Sequence, residues 1–82
     1  MFYVYVLECS DESLYTGYTN NIKTRLKKHA EGKASRYTRS RLPVKIVAHW
    51  NFKTKPEAMK AEVAFKRLPR KEKMERIRKI SI

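Results

Sequence analysis

Hydrophobic residues are concentrated in two short segments at the start of the chain, and each has the pattern of a β-strand. Residues 2–9, FYVYVLEC, are mainly aromatic, β-branched or aliphatic, which favours a pleated conformation. The polar turn SDES follows, and residues 13–19, SLYTGYT, predict a second strand antiparallel to the first. The chain is therefore expected to begin with a β-hairpin.

The length of the hairpin loop determines whether Tyr5 and Tyr15 lie on the same face. These tyrosines are an even number of residues apart, so they share a face if the loop contains an odd number of residues, such as residues 10–12. A two-residue Asp11-Glu12 turn would place them on opposite faces. Because that turn lacks the glycine that a type I′ hairpin prefers, the odd loop is favoured.

Residues 21–31 predict a helix. Apolar residues recur there at intervals of four: Ile22, Leu26 and Ala30. Thr19 or Asn20 is expected to cap the helix N-terminus, and Gly32 is expected to end the helix.

Two polar residues of this helix, Arg25 and His29, lie on one flank of its apolar stripe. In an ideal helix they are about 60° and about 20° from Ile22 around the helix axis. We therefore expect both side chains to point toward the margin of the sheet and away from open solvent.

The middle of the chain predicts a loop and a third strand. Residues 32–42, GKASRYTRSRL, have no periodicity and are expected to form a basic loop. Residues 43–52, PVKIVAHWNF, predict a strand that begins with a proline. Its hydrophobic face would contain Val44, Ile46, Ala48, Trp50 and Phe52. His49 and Trp50 are expected to be strand and core residues and not site residues.

The segment TKPE at residues 54–57 matches a capping box, which predicts a helix that runs to about Leu68. The residues that this helix would bury are Ala58, Ala61, Phe65 and Leu68. Glu62 is about 40° from Ala58 around the axis, so it lies beside the buried stripe.

A final basic helix completes an α+β pattern. Pro69 ends the preceding helix, and residues 69–80, PRKEKMERIRKI, predict a short helix docked by Met74 and Ile77. The order is strand, strand, helix, strand, helix, helix, in one domain over residues 1–82, with a small sheet covered by helices. The order of the strands within the sheet is left open.

The formal charge of +12 is unevenly distributed along the chain. Residues 1–22 contain three acidic and no basic residues, whereas all 20 lysines and arginines follow, against five acids. A basic region of this density attracts a polyanion, so nucleic acid is the expected partner. A solvated charged face is the simpler alternative. An anionic membrane is disfavoured because no helix pairs its basic face with a large apolar one.

Several kinds of chemistry are excluded by residue counts. Cys9 is the single cysteine, so with His29 and His49 it cannot complete a four-ligand zinc site. No partner near Cys9 supports nucleophilic catalysis, and we expect it to be a small buried residue at a strand end. Two glycines are too few for a P-loop or a dinucleotide fingerprint. The absence of a signal-peptide pattern and the single cysteine favour a cytoplasmic location.

Five residues remain as candidates for a site: Tyr5, Tyr15, Arg25, His29 and Glu62. A phosphodiester hydrolase needs a base that activates water, a cation that stabilises the developing negative charge, and often a carboxylate that holds a divalent metal. This set contains all three. Each member also has a structural explanation: the tyrosines as sheet packing, the two helix residues as a surface pair, and Glu62 as an ion pair with Lys66.

The candidates belong to a longer pattern that resembles a known family. YVY at 3–5, YTG at 15–17, TNNIKTRLKKH at 19–29 and EAMKAEVAFKRL at 57–68 together resemble the GIY-YIG endonuclease superfamily, in particular its small, standalone, single-domain branch. The resemblance implies a three-stranded antiparallel sheet flanked by helices. It also implies cleavage of DNA backbones with one divalent metal, Mg²⁺ or Mn²⁺, so that DNA is favoured over RNA as the partner.

The resemblance assigns a role to each candidate. It places Tyr5 in the first motif, where the phenol would accept a proton from the attacking water, and it places Tyr15 and Gly17 in the second. Arg25 would hold a phosphate oxygen with its planar guanidinium, beside His29 on the first helix. Glu62 would be the metal ligand, and a single carboxylate suits Mg²⁺ or Mn²⁺.

The basic loop is the expected substrate-holding surface. Its candidates for phosphate contacts are Lys33, Arg36, Arg39 and Arg41. Tyr37 would either stack on an unpaired base or pack the loop onto the domain. Without a helix that reads bases, binding is expected to be structure-selective or nonspecific, with branched, nicked or damaged DNA, as in DNA repair, among the substrates. It is also expected to weaken steeply with salt.

A second function remains open, namely a small basic nucleic-acid-binding or adaptor module with this fold and little or no catalysis. After Glu62 the chain has no counterpart of the asparagine that ends the pattern in larger members of the superfamily. The small branch also lacks a separate DNA-binding domain, so the domain itself or a protein partner must supply targeting.

Overall fold

The computed structural model describes residues 1–80, so the last two residues of the domain predicted over residues 1–82 lie outside the described part. The described elements are β1 (Phe2–Glu8), β2 (Leu14–Thr19), α1 (Ile22–Ala30), α2 (Arg36–Arg39), β3 (Lys45–Phe52), α3 (Lys55–Lys66) and α4 (Arg70–Ile80). The α+β class and the order of the predicted elements are confirmed, with the short helix α2 added. None of these helices is long and apolar enough to cross a membrane.

The sheet is antiparallel with the order β2-β1-β3, so β1 is its central strand. In the hairpin, Tyr5 lies opposite Gly17 and Leu7 lies opposite Tyr15. The loop between the paired ends contains residues 9–13, an odd number, and Tyr5 and Tyr15 therefore share a face as predicted. The loop is longer than the three residues expected at 10–12.

The hydrophobic core lies on the opposite face of the sheet. Val6 and its cross-strand neighbour Ala48 are buried there, and they pack with Phe65 of α3 and Ile77 of α4. The Trp50 and Phe65 rings are 5.3 Å apart between centroids. Further partly buried members of this cluster are Leu14, Val47, Leu68 and Met74. Because α3 and α4 cover this face, the face that carries Tyr5 is available to α1 and α2.

A β-bulge interrupts the alternation predicted for the third strand. Val6 lies opposite Ala48, whereas its neighbour Leu7 lies opposite Ile46, so Val47 is an extra residue in β3. Ile46 consequently lies on the same face as Leu7 and not on the face of Ala48. The predicted common face therefore holds for Ala48, Trp50 and Phe52 and fails for Ile46, and Val44 precedes the strand.

The N-terminus of α1 is capped by Asn21, so the prediction of Thr19 or Asn20 is wrong. The Asn21 side-chain oxygen accepts a hydrogen bond from the backbone N–H of Thr24, at 3.1 Å. Thr19 is buried, and its hydroxyl oxygen accepts from the backbone N–H of Asn21, also at 3.1 Å. This hydroxyl therefore stabilises the turn that leads into the helix.

The buried face of α1 is centred differently from the predicted stripe. His29 is fully buried, whereas Ala30 is exposed. Ile22 and Leu26 are half-buried, as the stripe predicts. The imidazole occupies the inward position because it has polar partners on both sides, which offset the cost of burying its nitrogens.

The prediction that residues 32–42 form only a loop is wrong, because this segment contains the short helix α2. Gly32 has a positive φ of 74°, which favours glycine, where the chain leaves α1. Ser35 then caps α2, and its Oγ accepts from the Tyr37 backbone N–H at 3.1 Å. A helix of four residues is too short to show a hydrophobic period, which is why the pattern did not predict it.

The last two helices follow the sequence prediction closely. The Thr54 side chain accepts from the Glu57 backbone N–H while the Glu57 carboxylate accepts from the Thr54 backbone N–H, so the capping box is present. Ala58 and Phe65 are buried, and α3 ends at Lys66, two residues before the expected end at Leu68. In α4, Ile77 is buried as predicted.

Candidate active site

A buried chain of polar side chains runs from the sheet to α2. Tyr5 Oη lies 2.9 Å from His29 Nε2, and His29 Nδ1 lies 2.9 Å from Thr38 Oγ1. All three residues are at most 2% exposed. The strand β1, the helix α1 and the helix α2 each contribute one member. Two residues that the sequence singled out, Tyr5 and His29, are thus in direct contact.

Tyr15 completes an aromatic cluster around this chain. Its ring is 5.2 Å from the His29 ring and 6.5 Å from the Tyr5 ring between centroids. The edge-to-face arrangement with His29 is a favourable geometry for two aromatic rings. The shared sheet face of the two tyrosines therefore brings both against the same imidazole.

Gly17 is required by the position of the Tyr5 ring. A Cβ atom at residue 17 would lie 2.6 Å from Tyr5 Oη and 2.8 Å from Tyr5 Cζ, closer than such atoms approach. The two residues lie opposite each other in the hairpin, so the phenol extends across the space where the partner strand has no side chain. Glycine thus permits the Tyr5 hydroxyl to reach His29.

Tyr5 and Tyr15 face a polar cleft of about 380 Å³. Arg25 of α1 and Glu62 of α3 also line this cleft. Since α1 and α3 pack on opposite faces of the sheet, the cleft lies at the β2 edge, where Tyr15 and Tyr18 from the two faces both contribute to the lining. His29 is not among the lining residues and lies behind Tyr5.

Burial and neighbouring charges control the ionisation of the two central groups. Burial raises the pKa of the Tyr5 phenol well above its ordinary value, and Tyr15 and Glu62 act in the same direction while Arg25 opposes them. Burial also lowers the pKa of His29, and the positive charge of Arg25 adds to this effect. The site is therefore expected to hold a protonated phenol and a neutral imidazole at neutral pH.

The predicted substrate-holding residues have different environments. The side chains of Lys33, Arg36 and Arg39 belong to exposed residues around α2. Arg41 makes contacts within the protein. Its Nε donates to Asp11 Oδ2 at 3.0 Å, and its guanidinium lies 3.9 Å from the centroid of the Tyr37 ring.

Tyr37 packs against the domain. Its ring stacks on Tyr15 at a centroid distance of 6.1 Å, and the guanidinium of Arg41 lies over it. Arg41 also donates to the Tyr37 carbonyl oxygen at 2.9 Å. These contacts correspond to the packing alternative for Tyr37 and connect α2 to the Tyr15 side of the site.

Glu62 is the one predicted metal ligand, and its side chain lines the polar cleft. Its side chain is 16% exposed and lies 3.8 Å from Lys66 Nζ, so the expected ion pair is present. Within residues 1–80 no group of three or more His, Cys, Asp or Glu side chains is placed to hold a metal. A single carboxylate beside a polar cleft suits Mg²⁺, which retains several waters and takes further ligands from substrate phosphates.

Two residues around the site were not predicted from sequence. Lys55 lines the cleft at the start of α3, seven residues before Glu62 and so on the same side of the helix. That spacing could have predicted from the sequence that Lys55 lies near Glu62. Thr38, the fully buried partner of His29, had no such signal because α2 is too short to show a pattern.

Comparison with known proteins identifies the family of this chain. The sequence model of the family described as the GIY-YIG catalytic domain matches residues 1–75. A UPF0213 protein of Bacillus licheniformis is 61% identical over 71 residues, which are 87% of this chain and 73% of the relative. A UPF0213 protein of Clostridium perfringens is 49% identical over 82 residues, which are 100% of this chain and 88% of the relative.

Solved structures give the same result for the fold. The NMR structure of a UPF0213 protein from Bacillus halodurans has 50% identity and a TM-score of 0.61, and the match covers 94% of this chain and 83% of that one. The NMR structure of a protein from E. faecalis has 43% identity and a TM-score of 0.64, over 94% and 82% of the two chains. With the family model matching residues 1–75, the chain belongs to the GIY-YIG catalytic domain family.

Proposed function

We propose that this protein is a metal-dependent endonuclease that hydrolyses DNA phosphodiester bonds and selects its substrate by structure or without sequence preference. The observation that carries the proposal is the 2.9 Å contact between Tyr5 Oη and His29 Nε2, behind a cleft lined by Arg25 and Glu62. Family membership supports a nuclease in general. Metal dependence, the DNA substrate and the role of each residue are parts of the proposal.

Tyr5 and His29 would act together as the base. Because burial raises the pKa of Tyr5, a free phenolate is too costly to form before the reaction. The phenol oxygen instead accepts a proton from the attacking water while its own proton moves to His29 Nε2, which lies within hydrogen-bond distance. The lowered pKa of His29 keeps the imidazole neutral and able to accept that proton.

The other cleft residues would bind and orient the substrate. The guanidinium of Arg25 is suited to two hydrogen bonds with phosphate oxygens and to stabilising the charge that develops on them. Tyr15 lies beside Tyr5 and would orient the water. Lys55 adds a positive charge on the α3 side of the cleft.

Glu62 would hold Mg²⁺ or Mn²⁺ at the cleft. A bound divalent cation supplies a Lewis acid that polarises the phosphate and stabilises the leaving oxygen. Lys66 pairs with the Glu62 carboxylate and Lys55 lines the same cleft, so both lysines place positive charge near this carboxylate.

Exposed basic residues near α2 would hold the DNA backbone. Lys33, Arg36 and Arg39 are exposed around α2, which contacts Tyr15 of the site through Tyr37. Basic side chains of this kind bind phosphates and not base edges. Binding without base readout fits branched, nicked or damaged DNA, as in DNA repair. A cytoplasmic location is part of the same proposal. A protein partner would then supply any targeting.

The direct test is cleavage of a panel of duplex, single-stranded, flapped and branched DNA, with Mg²⁺ or Mn²⁺ and with EDTA. Glu62→Gln and Tyr5→Phe are the informative variants, because each removes one proposed chemical group with little change in shape. We expect both to lose cleavage and to retain DNA binding. Their matched controls are Glu75→Gln on the exposed side of α4 and Tyr3→Phe two residues earlier in β1.

The possible results separate the two functions. Cleavage lost in both variants and kept in both controls supports the nuclease. Equal cleavage by the wild type and Glu62→Gln contradicts it and indicates a contaminating enzyme. Binding of DNA by the wild type without any cleavage on the panel favours the adaptor.

A further inference from the structure

Thr38 is a fully buried polar residue whose side chain does not line the cleft. Its Oγ1 lies 2.9 Å from His29 Nδ1 and 3.3 Å from the carbonyl oxygen of Ser35. The Ser35 carbonyl belongs to the cap of α2, one turn before Thr38. Thr38 therefore connects the imidazole to the backbone of a different helix, away from solvent.

The position of one proton determines the tautomer of His29. A threonine hydroxyl has one proton to donate and two lone pairs that can accept. If the hydroxyl donates to the Ser35 carbonyl, it can accept only from a protonated Nδ1 of His29. Nε2 is then unprotonated and accepts from the Tyr5 hydroxyl. In this direction the Tyr5 hydroxyl donates to Nε2, the Nδ1–H donates to Thr38, and the Thr38 hydroxyl donates to the Ser35 carbonyl. All three contacts are then hydrogen bonds.

The opposite direction of donation forms fewer hydrogen bonds among these groups. If Thr38 donates to Nδ1, the Ser35 carbonyl keeps only the hydrogen bond from the Arg39 backbone N–H, at 3.0 Å. Nε2 must then donate to Tyr5. The Tyr5 proton then has to point away from His29, and no imidazole lone pair faces the phenol. The groups around the ring do not include a carboxylate that would favour a doubly protonated imidazole: its partners are Tyr5, Tyr15 and Thr38, and the nearby charge is that of Arg25.

We propose that Thr38 is a positioning residue that holds His29 in the tautomer protonated at Nδ1, so that Nε2 can accept a proton from Tyr5. The catalytic consequence rests on the nuclease function proposed above, whereas the tautomer itself does not. A histidine is oriented by the hydrogen bond that its other nitrogen makes, and the wrong tautomer prevents it from accepting a proton. Thr38 is fully buried and does not line the cleft, so it sets this state through His29 alone.

The test is the ¹⁵N NMR spectrum of the His29 ring, with long-range proton correlations, at a pH above 7 where the imidazole is neutral. In the wild type we expect a protonated Nδ1 and an unprotonated Nε2. Thr38→Val keeps the branched shape and removes the acceptor, so the proton should move mainly to Nε2, because a buried N–H without a partner is unfavourable. Thr38→Ser restores the hydroxyl and should restore the wild-type tautomer.

Activity provides the second readout. Thr38→Val should lower the rate of cleavage by roughly 10²-fold, the range of general-base catalysis, while DNA affinity stays within about twofold. Thr38→Ser should recover most of the rate. Far-UV circular dichroism verifies that the variants are folded, and the wild-type tautomer is informative even if Thr38→Val does not fold.

Each result has a distinct meaning. A wild-type ring protonated at Nε2, or an unchanged tautomer in Thr38→Val, overturns the proposal about Thr38. A shifted tautomer with wild-type cleavage overturns its catalytic consequence. If the wild type cleaves no DNA but the tautomer responds as expected, the nuclease function fails and the assignment of Thr38 stands.

Discussion

The Tyr5 hydroxyl can reach His29 because residue 17 has no side chain. The space above Gly17 is filled by the phenol itself, as the 2.6 Å separation between a built Cβ and Tyr5 Oη indicates. A residue chosen for its absent side chain is thus as important to the site as the groups that carry chemistry. The buried imidazole has the same dependence on its neighbours, because Tyr5 and Thr38 provide the polar partners that its buried ring nitrogens need.

Replacement of Gly17 by alanine should displace the Tyr5 ring. We expect the free energy of unfolding to fall by about 1–3 kcal/mol, the usual cost of overpacking, and the Tyr5–His29 contact to be lost. Urea unfolding measures the first effect, and the His29 ring signals in NMR measure the second. Gly32→Ala is the matched control: it strains a backbone with φ of 74° but meets only Arg39. It should lower stability without moving the His29 signals, and the same shift in both variants would contradict this account.

Acidification should destabilise the protein through His29. Its pKa is lowered by burial and by Arg25, so in the unfolded chain it binds a proton more readily than in the fold. Stability from the neutral imidazole is therefore fully present above the ordinary value of 6.5 and is lost as pH falls through the lowered pKa. Unfolding by urea between pH 7.5 and about pH 5 should show this slope, and His29→Gln should flatten it. An equal slope in the variant would show that another group is responsible.

At the scale of elements, the site depends on how each helix begins. Asn21 fixes the start of α1, which carries Arg25 and His29, and the capping box of Thr54 and Glu57 fixes the start of α3, which carries Glu62. The bulge at Val47 affects β3 and leaves the β1–β2 pairing, where the tyrosines lie, regular.

Loss of the α3 cap should lower the stability of the fold. Thr54→Ala removes the acceptor for the Glu57 N–H, and we expect the free energy of unfolding to fall by about 1 kcal/mol. Thr24→Ala is a suitable control, because Thr24 is an exposed threonine within the first turn of α1 whose side chain is not the cap. Thermal unfolding compares the two. A loss of stability in Thr24→Ala as large as that in Thr54→Ala would mean that the cap is not the cause.

At the scale of the whole molecule, the positive charge lies outside the N-terminal hairpin. The acidic first 22 residues include β1, β2 and the hairpin loop, whereas the net positive charge lies on the helices and connecting segments after them. Within these, the exposed Lys33, Arg36 and Arg39 lie in or near α2, whose Tyr37 stacks on the cleft residue Tyr15. The protein would thus bind a polyanion on the side that carries the candidate active site.

The affinity for DNA should decrease steeply as salt increases, because binding phosphates releases counterions. Lys33→Ala should reduce the slope of log K against log salt by about 1 if Lys33 contacts a phosphate. Lys60→Ala, on the exposed face of α3 turned away from Glu62, should leave the slope unchanged. Filter binding or fluorescence anisotropy at several salt concentrations measures both. A flat salt response of the wild type would contradict the electrostatic basis of binding.

The sequence by itself determined the elements, because their signals are local. Alternating and apolar runs specify β1 and β2, the capping box specifies the start of α3, and the odd loop places Tyr5 and Tyr15 on one face. Helical spacing also gave Arg25 and His29 a common direction. Where a segment was too short for a period, as in α2, or was changed by an extra residue, as at Val47, the local pattern failed.

Only the tertiary structure decided which groups meet. The contact of Tyr5 with His29 joins residues 24 positions apart, and Glu62 reaches the same cleft from the other side of the sheet. The burial of His29 and its pairing with Thr38 have no local cause, because they follow from the packing of α1 and α2 against β1 and β2. The pKa shifts follow from that burial as well, since desolvation is a property of the assembled fold and not of the residue.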